Sequence, residues 1–326
     1  MKTIKAGIIG GSGYTGGELI RILLHHPLAE IGFVHSTTRA GQLVSNAHPD
    51  LLGTTDIKFT ESVDPNVDVV FLCLGHGNSR AFLQEHSFSE NTRIIDLSND
   101  FRLKADSTFE NRHFVYGLPE LNRDQIRGAR NIANPGCFAT AIQLALLPLA
   151  GAGLLDTDIH VNAITGSTGA GVSPSATSHF SWRNNNISWY KPFTHQHLGE
   201  INESLVSLQQ NAAKLYFLPS RGNFTRGILA TAYTEFEGSE EEAASLYREF
   251  YKNSPFTQIS DVPIALKQVV NTNHCHLHLH KHEDVLLVTS ALDNLIKGAS
   301  GQAIENMNLL FGFPETEGLN LKAGVY

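Results

Sequence analysis

The sequence has few cysteines and no long apolar run. Its 326 residues include three cysteines, Cys73, Cys137 and Cys275, which cannot all pair with one another. This number disfavours a disulfide-stabilised secreted fold, and we expect a protein of the reducing cytoplasm. No apolar run reaches the roughly 18 residues that a membrane span needs. The first residues lead straight into a predicted strand, so we expect neither a membrane segment nor a signal peptide.

Positive charge is also scarce. The chain has 24 Lys and Arg residues against 32 Asp and Glu residues, which gives a formal net charge of −8 at pH 7. This balance argues against a nucleic-acid partner. It does not argue against a small anionic substrate, because a single arginine or a helix N-terminus attracts an anion locally.

The order of the predicted elements indicates two domains. A buried strand at 4–9, a glycine-rich turn, a helix at 17–26 and a strand at 31–35 predict a βαβ unit. Further apolar runs predict a parallel sheet. The second half is richer in strands, and an acidic helix follows Ser239. We therefore predict an α/β domain followed by a second domain.

A glycine-rich turn after the first strand predicts a dinucleotide site. It matches G-x-G-x-x-G in the required place, before a helix, and it consists of Gly11, Ser12, Gly13, Tyr14, Thr15 and Gly16. The end of the second strand carries Ser36 and Arg39 and no acidic residue. An acid would suit the ribose of NAD, whereas hydroxyls and a guanidinium suit a 2′-phosphate. We therefore predict NADP, with a solvated Arg39 as the alternative.

Cys137 is the candidate nucleophile. It follows Pro135 and Gly136 at the start of an apolar run, 139–149, that predicts a helix. A helix N-terminus favours the thiolate, which is the reactive form. The alternative is a small buried side chain without chemistry.

Seven short motifs, in order along nearly the whole chain, together resemble the N-acetyl-γ-glutamyl-phosphate reductase family. They are GYTG at 13–16, DLSNDFRL at 96–103, YGLPEL at 116–121, NPGC at 134–137, HQH at 195–197, RGI at 226–228 and DNL-x-KGA-x-GQA at 293–303. The resemblance implies NADPH-dependent reduction of an N-acylglutamyl phosphate to the semialdehyde, with release of phosphate, in arginine biosynthesis. The reaction would pass through a cysteine thioester.

The resemblance also implies an α/β fold like that of aspartate-semialdehyde dehydrogenase. Residues 1–136 would form a Rossmann-type NADP-binding domain with a doubly wound parallel sheet, completed by 293–326. Residues 137–292 would form a second α/β domain with a largely antiparallel sheet, for catalysis and oligomerisation. We expect a homodimer or a homotetramer.

The family pattern assigns Cys137 as the nucleophile and His197 as the acid/base, with His195 as the second choice. Glu200 is predicted to orient an imidazole; the alternative is an acid favoured by the first turn of a helix. Substrate anions and cofactor need further residues. The expected ones are Arg102 and Arg226 for the substrate, unless they form structural ion pairs, and Gly75, His76, Gly169, Asn294 and Lys297 for the cofactor.

The sequence departs from the family pattern at two places. Val172 stands where typical members have Arg, and Pro219-Ser220-Arg221 stands where many have Pro-His-Leu. We interpret Arg221 as a substrate-binding residue that would pair with a second carboxylate on the N-acyl group, as in an N-succinyl substrate. Neither sequence nor motif decides between acetyl and succinyl.

Histidines alternate along one predicted strand, at positions 274, 276, 278, 280 and 282. Residues at this spacing share one face, and such histidines can bind a metal. The alternative is a polar strand face, and we expect no metal because the inferred chemistry needs none.

Three other functions are compatible with parts of the pattern. Aspartate-semialdehyde dehydrogenase is disfavoured by the HQH and DLSNDFR motifs. An N-acyl-aminoadipyl-phosphate reductase of lysine biosynthesis would differ by one methylene group, which is worth only about 1–3 kcal/mol of discrimination. A non-catalytic NADP-binding sensor is disfavoured because Cys137 and His197 occur together.

Overall fold

The computed structural model describes residues 3–325. They form two compact units, one ending at Pro135 and including Ala299–Asn320, the other comprising Gly136–Gly298 and the residues from Leu321 onwards. Residues 293–298, predicted to lie with the first domain, therefore belong to the second unit. The physical reason is a set of side-chain bonds from Asp293 and Asn294 to Arg226 and Gly227.

The first unit is built on an eight-stranded sheet. Its strands are Ile4–Ile9 (β1), Ala29–His35 (β2), Phe59–Thr60 (β3), Val69–Leu72 (β4), Arg93–Asp96 (β5), Thr108–Phe109 (β6), Arg112–Tyr116 (β7) and Asn131–Ala133 (β8). The order is β3-β2-β1-β4-β5-β8-β7-β6, and all neighbours are parallel except β6 and β7. Its helices in this part of the chain are Tyr14–Leu23 (α1), Ser79–Glu85 (α2) and Pro119–Gly128 (α3). This is the predicted doubly wound sheet.

The second unit holds a seven-stranded mixed sheet. Its strands are Ile159–Thr165 (β9), Ser188–Trp189 (β10), Leu215–Arg221 (β11), Ile228–Glu235 (β12), Thr257–Ser260 (β13), Cys275–His282 (β14) and Val285–Leu292 (β15). The order is β10-β11-β9-β12-β15-β14-β13, with β11–β9 and β13–β14 parallel and the other pairs antiparallel. Its helices are Cys137–Gly151 (α4), Phe180–Arg183 (α5), His197–Leu208 (α6) and Glu240–Tyr251 (α7).

Helix starts follow the sequence signals, with shifts of a few residues. α1 begins at Tyr14 and not at Gly17, α4 at Cys137 and not at Ala139, and α6 at His197 and not at Glu200. α7 begins where predicted, with Ser239 as N-cap in a reciprocal capping box with Glu242. The last helix, Gly301–Phe311 (α8), follows a π-helical turn at Ile296–Ser300 and packs against α1 and α3 of the first unit.

A buried carboxylate fixes the loops at the end of β5. Asp96 is fully buried; its Oδ1 accepts from the Ser79 hydroxyl (2.5 Å) and its Oδ2 from the Ser98 hydroxyl (2.7 Å). Burial raises the pKa of Asp96 from 3.8 to about 6, against the lowering effect of these hydrogen bonds and of Arg102. The folded protein therefore binds this proton more tightly than the unfolded chain.

We expect Asp96→Asn to remove a pH dependence of stability. Because the pKa of Asp96 is raised in the folded state, its contribution to stability is greatest below pH 3.8 and is lost as pH rises through about 6. At about 1.4 kcal/mol per pKa unit, the loss is about 3 kcal/mol. Urea unfolding at pH 4, 5.5 and 7 should show wild type losing stability relative to the variant. Asp124→Asn, which removes an exposed carboxylate, is the control; parallel curves for wild type and Asp96→Asn would refute the expectation.

Candidate active site

Cys137 is the first residue of helix α4. Gly136 is the N-cap, with extended φ and ψ, and as a glycine it has no side chain that could cap the helix. The first turn of α4 therefore carries the partial positive charge of a helix N-terminus, and it contains no acidic residue. The helix behind it is buried from Phe138 to Ala150, so the position of Cys137 is fixed by the core. Gly298 packs directly on it: a Cβ there would lie 2.8 Å from the Cβ of Cys137.

The other two cysteines have different surroundings. Burial raises the pKa of Cys73 to about 12, with a smaller opposing effect from the Thr15 hydroxyl. Cys275 is buried in β14, with Sγ 3.4 Å from the Ser290 hydroxyl. Cys137 is partly exposed and lies at a helix N-terminus. Of the three thiols, its environment favours ionisation most.

Glu200 connects the cysteine turn with His197. It is 3% exposed, and its Oε2 accepts a hydrogen bond from the Gly136 N–H at 3.0 Å. Its Oε1 lies 3.9 Å from His197 Nε2. Glu200 and His197 are three residues apart in the first turn of α6. The carboxylate is therefore placed to hold the backbone just before the nucleophile and to stabilise an imidazolium at His197.

An aromatic cluster surrounds the two histidines. The rings of His195 and His197 are 4.5 Å apart, and both lie edge-on to Phe138, next to Cys137. His195 Nδ1 accepts from the His197 backbone N–H at 3.2 Å, so a neutral His195 carries its proton on Nε2. The geometry brings both histidines to the cysteine turn.

Tyr190 joins this cluster, although no sequence motif pointed to it. Its ring centroid is 5.8 Å from that of His195, and the Arg221 Cζ lies 4.8 Å from the Tyr190 centroid. Arg221 Nη1 is 3.5 Å from the Thr177 hydroxyl. Arg221 therefore lies at the same site as the nucleophile's aromatic neighbours.

Two predicted ligand-binding residues have structural partners. Arg226 forms a bidentate salt bridge with buried Asp293, from Nε to Oδ2 at 3.1 Å and from Nη2 to Oδ1 at 3.2 Å. Arg102, 6% exposed, donates to the carbonyls of Asn134 (2.8 Å) and Leu97 (3.0 Å). These contacts fix the chain next to the cysteine turn and in the RGI motif. The pair with Asp293 is the structural alternative for Arg226, and the substrate role of both arginines stays a prediction.

Asn294 and Lys297, both predicted to bind the cofactor, are buried side chains. Asn294 is 2% exposed; its Oδ1 accepts from the Gly227 N–H (2.6 Å) and its amide donates to the Thr168 hydroxyl (3.1 Å), which braces the turn containing Gly169. Lys297 has no exposed surface, and its Nζ lies 5.7 Å from the Phe256 ring. Both side chains are buried, and their role in cofactor binding stays a prediction.

The glycine-rich turn of the first unit has the shape that a dinucleotide requires. A Cβ at Gly11 would lie 2.2 Å from Val34 Cγ1, and one at Gly16 would lie 2.7 Å from the Gly11 Cα. At Gly13, the nearest atom in the described chain would be the Gly10 carbonyl oxygen, at 3.7 Å. Two glycines are thus required by packing, and the third leaves open space at the N-terminus of α1, where a pyrophosphate binds.

Neighbouring groups support this turn. The Ser36 hydroxyl lies 3.4 Å from that of Ser12, and Arg39 follows in the exposed turn after β2. His48, a residue that the sequence analysis missed, bonds through Nε2 to the Gly11 carbonyl at 2.7 Å. The exposed loop of Gly75 and His76 is held by Asp100, which accepts from the N–H groups of Gly77 and Arg80.

The histidine strand does not gather metal ligands. In β14 the even-numbered residues are the more exposed ones and the intervening Cys275, Leu277 and Leu279 are buried, as predicted. His278 Nδ1 lies 3.1 Å from the Ser260 carbonyl oxygen, and His280 lies 3.6 Å from Glu240. Within residues 3–325, no group of three or more His, Cys, Asp or Glu side chains has an arrangement suited to a metal ion.

Comparison with known proteins decides the family. Residues 5–129 match the semialdehyde dehydrogenase NAD-binding domain, and residues 137–294 match the semialdehyde dehydrogenase dimerisation domain. The chain is 61% identical to N-acetyl-gamma-glutamyl-phosphate reductase of Flavobacterium johnsoniae, over 98% of each chain, and 59% identical to that of Christiangramia forsetii, over 99% and 100%. The chain belongs to the N-acetyl-gamma-glutamyl-phosphate reductase family. The predicted family and its enzyme class, NADP-dependent oxidoreductases, are thereby confirmed.

Solved structures confirm the predicted fold class. Aspartate semialdehyde dehydrogenase II of Vibrio cholerae superposes with a TM-score of 0.72 at 16% identity, covering 96% of this chain and 99% of that one. The enzyme of Candida albicans, solved with NADP, gives 0.70 at 16% identity, covering 95% and 99%. Among the described residues, no helix is long and apolar enough to cross a membrane.

Proposed function

We propose that this member of the family reduces an N-acyl-γ-glutamyl phosphate to the N-acylglutamate 5-semialdehyde, with NADPH, in arginine biosynthesis. The observation that carries the proposal is the position of Cys137 at the N-terminus of α4, with Glu200 bonded to the preceding N–H and close to His197. The names of the relatives, at 53–61% identity, support the same substrate class.

Cys137 is the nucleophile in this mechanism. Its thiolate attacks the acyl carbon, the carbon–oxygen bond to phosphate breaks, and an enzyme thioester remains. NADPH, held on the glycine-rich turn, would supply the hydride that reduces the thioester carbon. His197, or His195, accepts the thiol proton and later protonates the oxygen of the thiohemiacetal, which collapses to aldehyde and thiol. Glu200 stabilises the imidazolium form of the histidine in between.

The cofactor preference rests on Arg39 and Ser36. We expect Arg39→Ala to weaken NADPH binding about 10- to 100-fold, because a charge-assisted bond to the 2′-phosphate is lost. NADH has no such phosphate, so its affinity should change little. Fluorescence titration of both cofactors checks this, with Arg127→Ala, an exposed arginine of the same unit, as the control. Equal losses for NADPH and NADH would reject the role of Arg39.

Arg221 bears on which N-acyl group the substrate carries. Arg221 lies beside Tyr190 at the cysteine site, and its Nε is buried without a hydrogen-bond partner in the described chain. These donors favour a second carboxylate, as on an N-succinyl group, as a second candidate substrate. A clear preference for the acetyl substrate, unchanged in Arg221→Ala, would reject this assignment.

We further propose a cytoplasmic homodimer or homotetramer. Helices α4 and α7 contact the second sheet, and its other face carries a stacked column of Tyr216, His160 and Tyr233. Tyr233, an aromatic ring on this face, is 38% exposed. The dimerisation-domain match over 137–294 supports pairing through this unit, and analytical ultracentrifugation would measure the assembly.

The reverse reaction tests the function directly. N-acetylglutamate semialdehyde, NADP and phosphate are mixed with the protein, and NADPH absorbance is followed, with the N-succinyl substrate in parallel. Turnover that depends on phosphate supports the proposal, and the faster substrate identifies the acyl group. Absence of turnover with both, despite NADPH binding, would reject the proposal and direct the test to the aminoadipyl homologue.

A further inference from the structure

His48 lies between two short 3₁₀ turns of the segment that connects β2 with β3. Its N–H donates to the Val44 carbonyl at 3.0 Å, and its own carbonyl accepts from the Leu51 N–H at 3.0 Å. The residue is only 8% exposed, and its ring lies 6.4 Å from that of buried Phe59. The backbone bonds and the packing of the ring therefore fix the position of the imidazole.

The imidazole is bonded to the glycine-rich turn. His48 Nε2 lies 2.7 Å from the Gly11 carbonyl oxygen. A carbonyl oxygen only accepts hydrogen bonds, so Nε2 carries the hydrogen and donates it. Gly17 makes room for this ring, because a Cβ there would lie 2.5 Å from His48 Nδ1. Helix α1 and the connecting segment therefore both accommodate this contact.

The bond fixes the orientation of the peptide group between Gly11 and Ser12. The Gly11 N–H donates to the His35 carbonyl at 3.0 Å, so both polar backbone groups of Gly11 are held. In a trans peptide the N–H points opposite to the carbonyl of the same plane. The Ser12 N–H therefore points away from His48. Within residues 3–325 this N–H has no hydrogen-bond partner, and Ser12 is partly exposed.

The Ser12 N–H lies beside the N-terminus of α1. Gly13 is the N-cap of that helix, whose first turn has no side-chain cap and no acidic residue. A Cβ at Gly13 would still be 3.7 Å from the Gly10 carbonyl oxygen, the nearest atom of the described chain. A backbone donor at an open helix N-terminus suits a diphosphate.

We infer that His48 is a positioning residue for the cofactor. Through the Gly11 carbonyl, it holds the Gly11–Ser12 peptide so that the Ser12 N–H is directed toward the pyrophosphate of the dinucleotide. The inference rests on the proposed function, in which that dinucleotide is NADPH. It also connects two parts of the site, because the segment that carries His48 begins with Ser36 and Arg39. His48 acts through the backbone of the turn and takes no part in the reaction.

Fluorescence titration of NADPH and NADH, without substrate, tests this inference. His48→Leu removes the donor and keeps an apolar side chain in its place. Its Kd should rise about 3- to 10-fold, the factor that corresponds to one hydrogen bond. The rise should be equal for both cofactors, since they share the pyrophosphate, whereas Arg39→Ala should weaken NADPH alone. His48→Gln restores a donor at about the reach of Nε2 and should return both Kd values to within about twofold of wild type.

His26→Leu is the matched control for a general loss of stability. His26 is also a buried histidine of the first unit, 6% exposed, with Nε2 3.1 Å from Asn308 Oδ1. It lies beyond the C-terminal end of α1, at the opposite end from the glycine-rich turn. The control should lower the melting temperature, as His48→Leu does, and leave both Kd values unchanged.

Four results would overturn the inference. They are unchanged affinities in His48→Leu, equal losses in His48→Leu and His26→Leu, no recovery in His48→Gln, and a loss confined to NADPH. The last would assign the effect to the 2′-phosphate and not to the pyrophosphate.

The outcome is separable from that of the proposed function, because the titrations contain no acyl substrate. Unchanged affinities in His48→Leu, with normal acyl-phosphate reduction by wild type, would reject the role of His48 alone. Weakened affinities that His48→Gln restores, with no reduction of either acyl substrate by wild type, would reject the proposed reaction and leave the role of His48 standing.

Discussion

Replacement of Cys137 by Ser is expected to abolish turnover. A serine hydroxyl at the α4 N-terminus is far harder to ionise than a thiol and forms an ester in place of a reducible thioester. Removal of an enzyme's nucleophile costs about 10⁴-fold or more in kcat. The reverse reaction measures the loss. NADPH affinity should be unchanged, because the glycine-rich turn that fits the cofactor lies in the first unit.

The matched control for this variant is Cys275→Ser. It makes the same chemical change at a buried position where the Ser290 hydroxyl is already a neighbour, 3.4 Å from the sulfur. The control should keep kcat within about twofold, since Cys275 lies outside the reacting centre. Retention of substantial activity by Cys137→Ser would contradict a thioester mechanism, whatever the control does.

The second large effect is expected for Glu200→Gln. The amide can still accept the bond from the Gly136 N–H, so the cysteine turn should keep its geometry. It has no charge with which to stabilise the imidazolium of His197, 3.9 Å away. We expect kcat to fall about 10²- to 10³-fold with little change in KM, as for other carboxylates that orient and stabilise a catalytic histidine.

Glu203→Gln provides the comparison, because it removes the same charge one turn later on helix α6. Its kcat should stay close to that of wild type. A pH–rate profile of Glu200→Gln should show a displaced limb where the histidine titrates. If Glu200→Gln retained full kcat and an unaltered profile, the carboxylate would act only as a partner for the Gly136 N–H.

Much of the fold could be predicted from the sequence, because the patterns that mark a strand or a helix start involve residues close together in the chain. The alternation of histidines marked β14, and Ser239 before an acidic run marked the start of α7. Two-residue strands such as β3, β6 and β10 were missed, since so short a segment carries no period. β10 mattered most among these, because its pairing with β11 leads to Tyr190.

The arginines show why residue type alone does not assign a role. Arg102, Arg221 and Arg226 were all predicted to bind substrate anions. Arg226 pairs with Asp293, which directly follows β15 and lies 67 residues away in sequence. Arg102 donates to the carbonyls of Leu97 and Asn134, and Asn134 lies 32 residues away. The sequence gives the same residue type, arginine, whether the guanidinium binds a ligand or another part of the protein.

The sequence by itself determined the glycine turn, the cysteine at a helix start and the order of motifs, because each depends on neighbours within a few residues. The tertiary structure decided which side chains meet. It buried Asn294 and Lys297 by packing, bonded Glu200 to Gly136 across 64 residues, and brought Tyr190 and Arg221 to the site through strand register. These contacts join residues that are far apart in sequence. They form because each unit as a whole must bury its apolar side chains and satisfy its buried hydrogen-bonding groups.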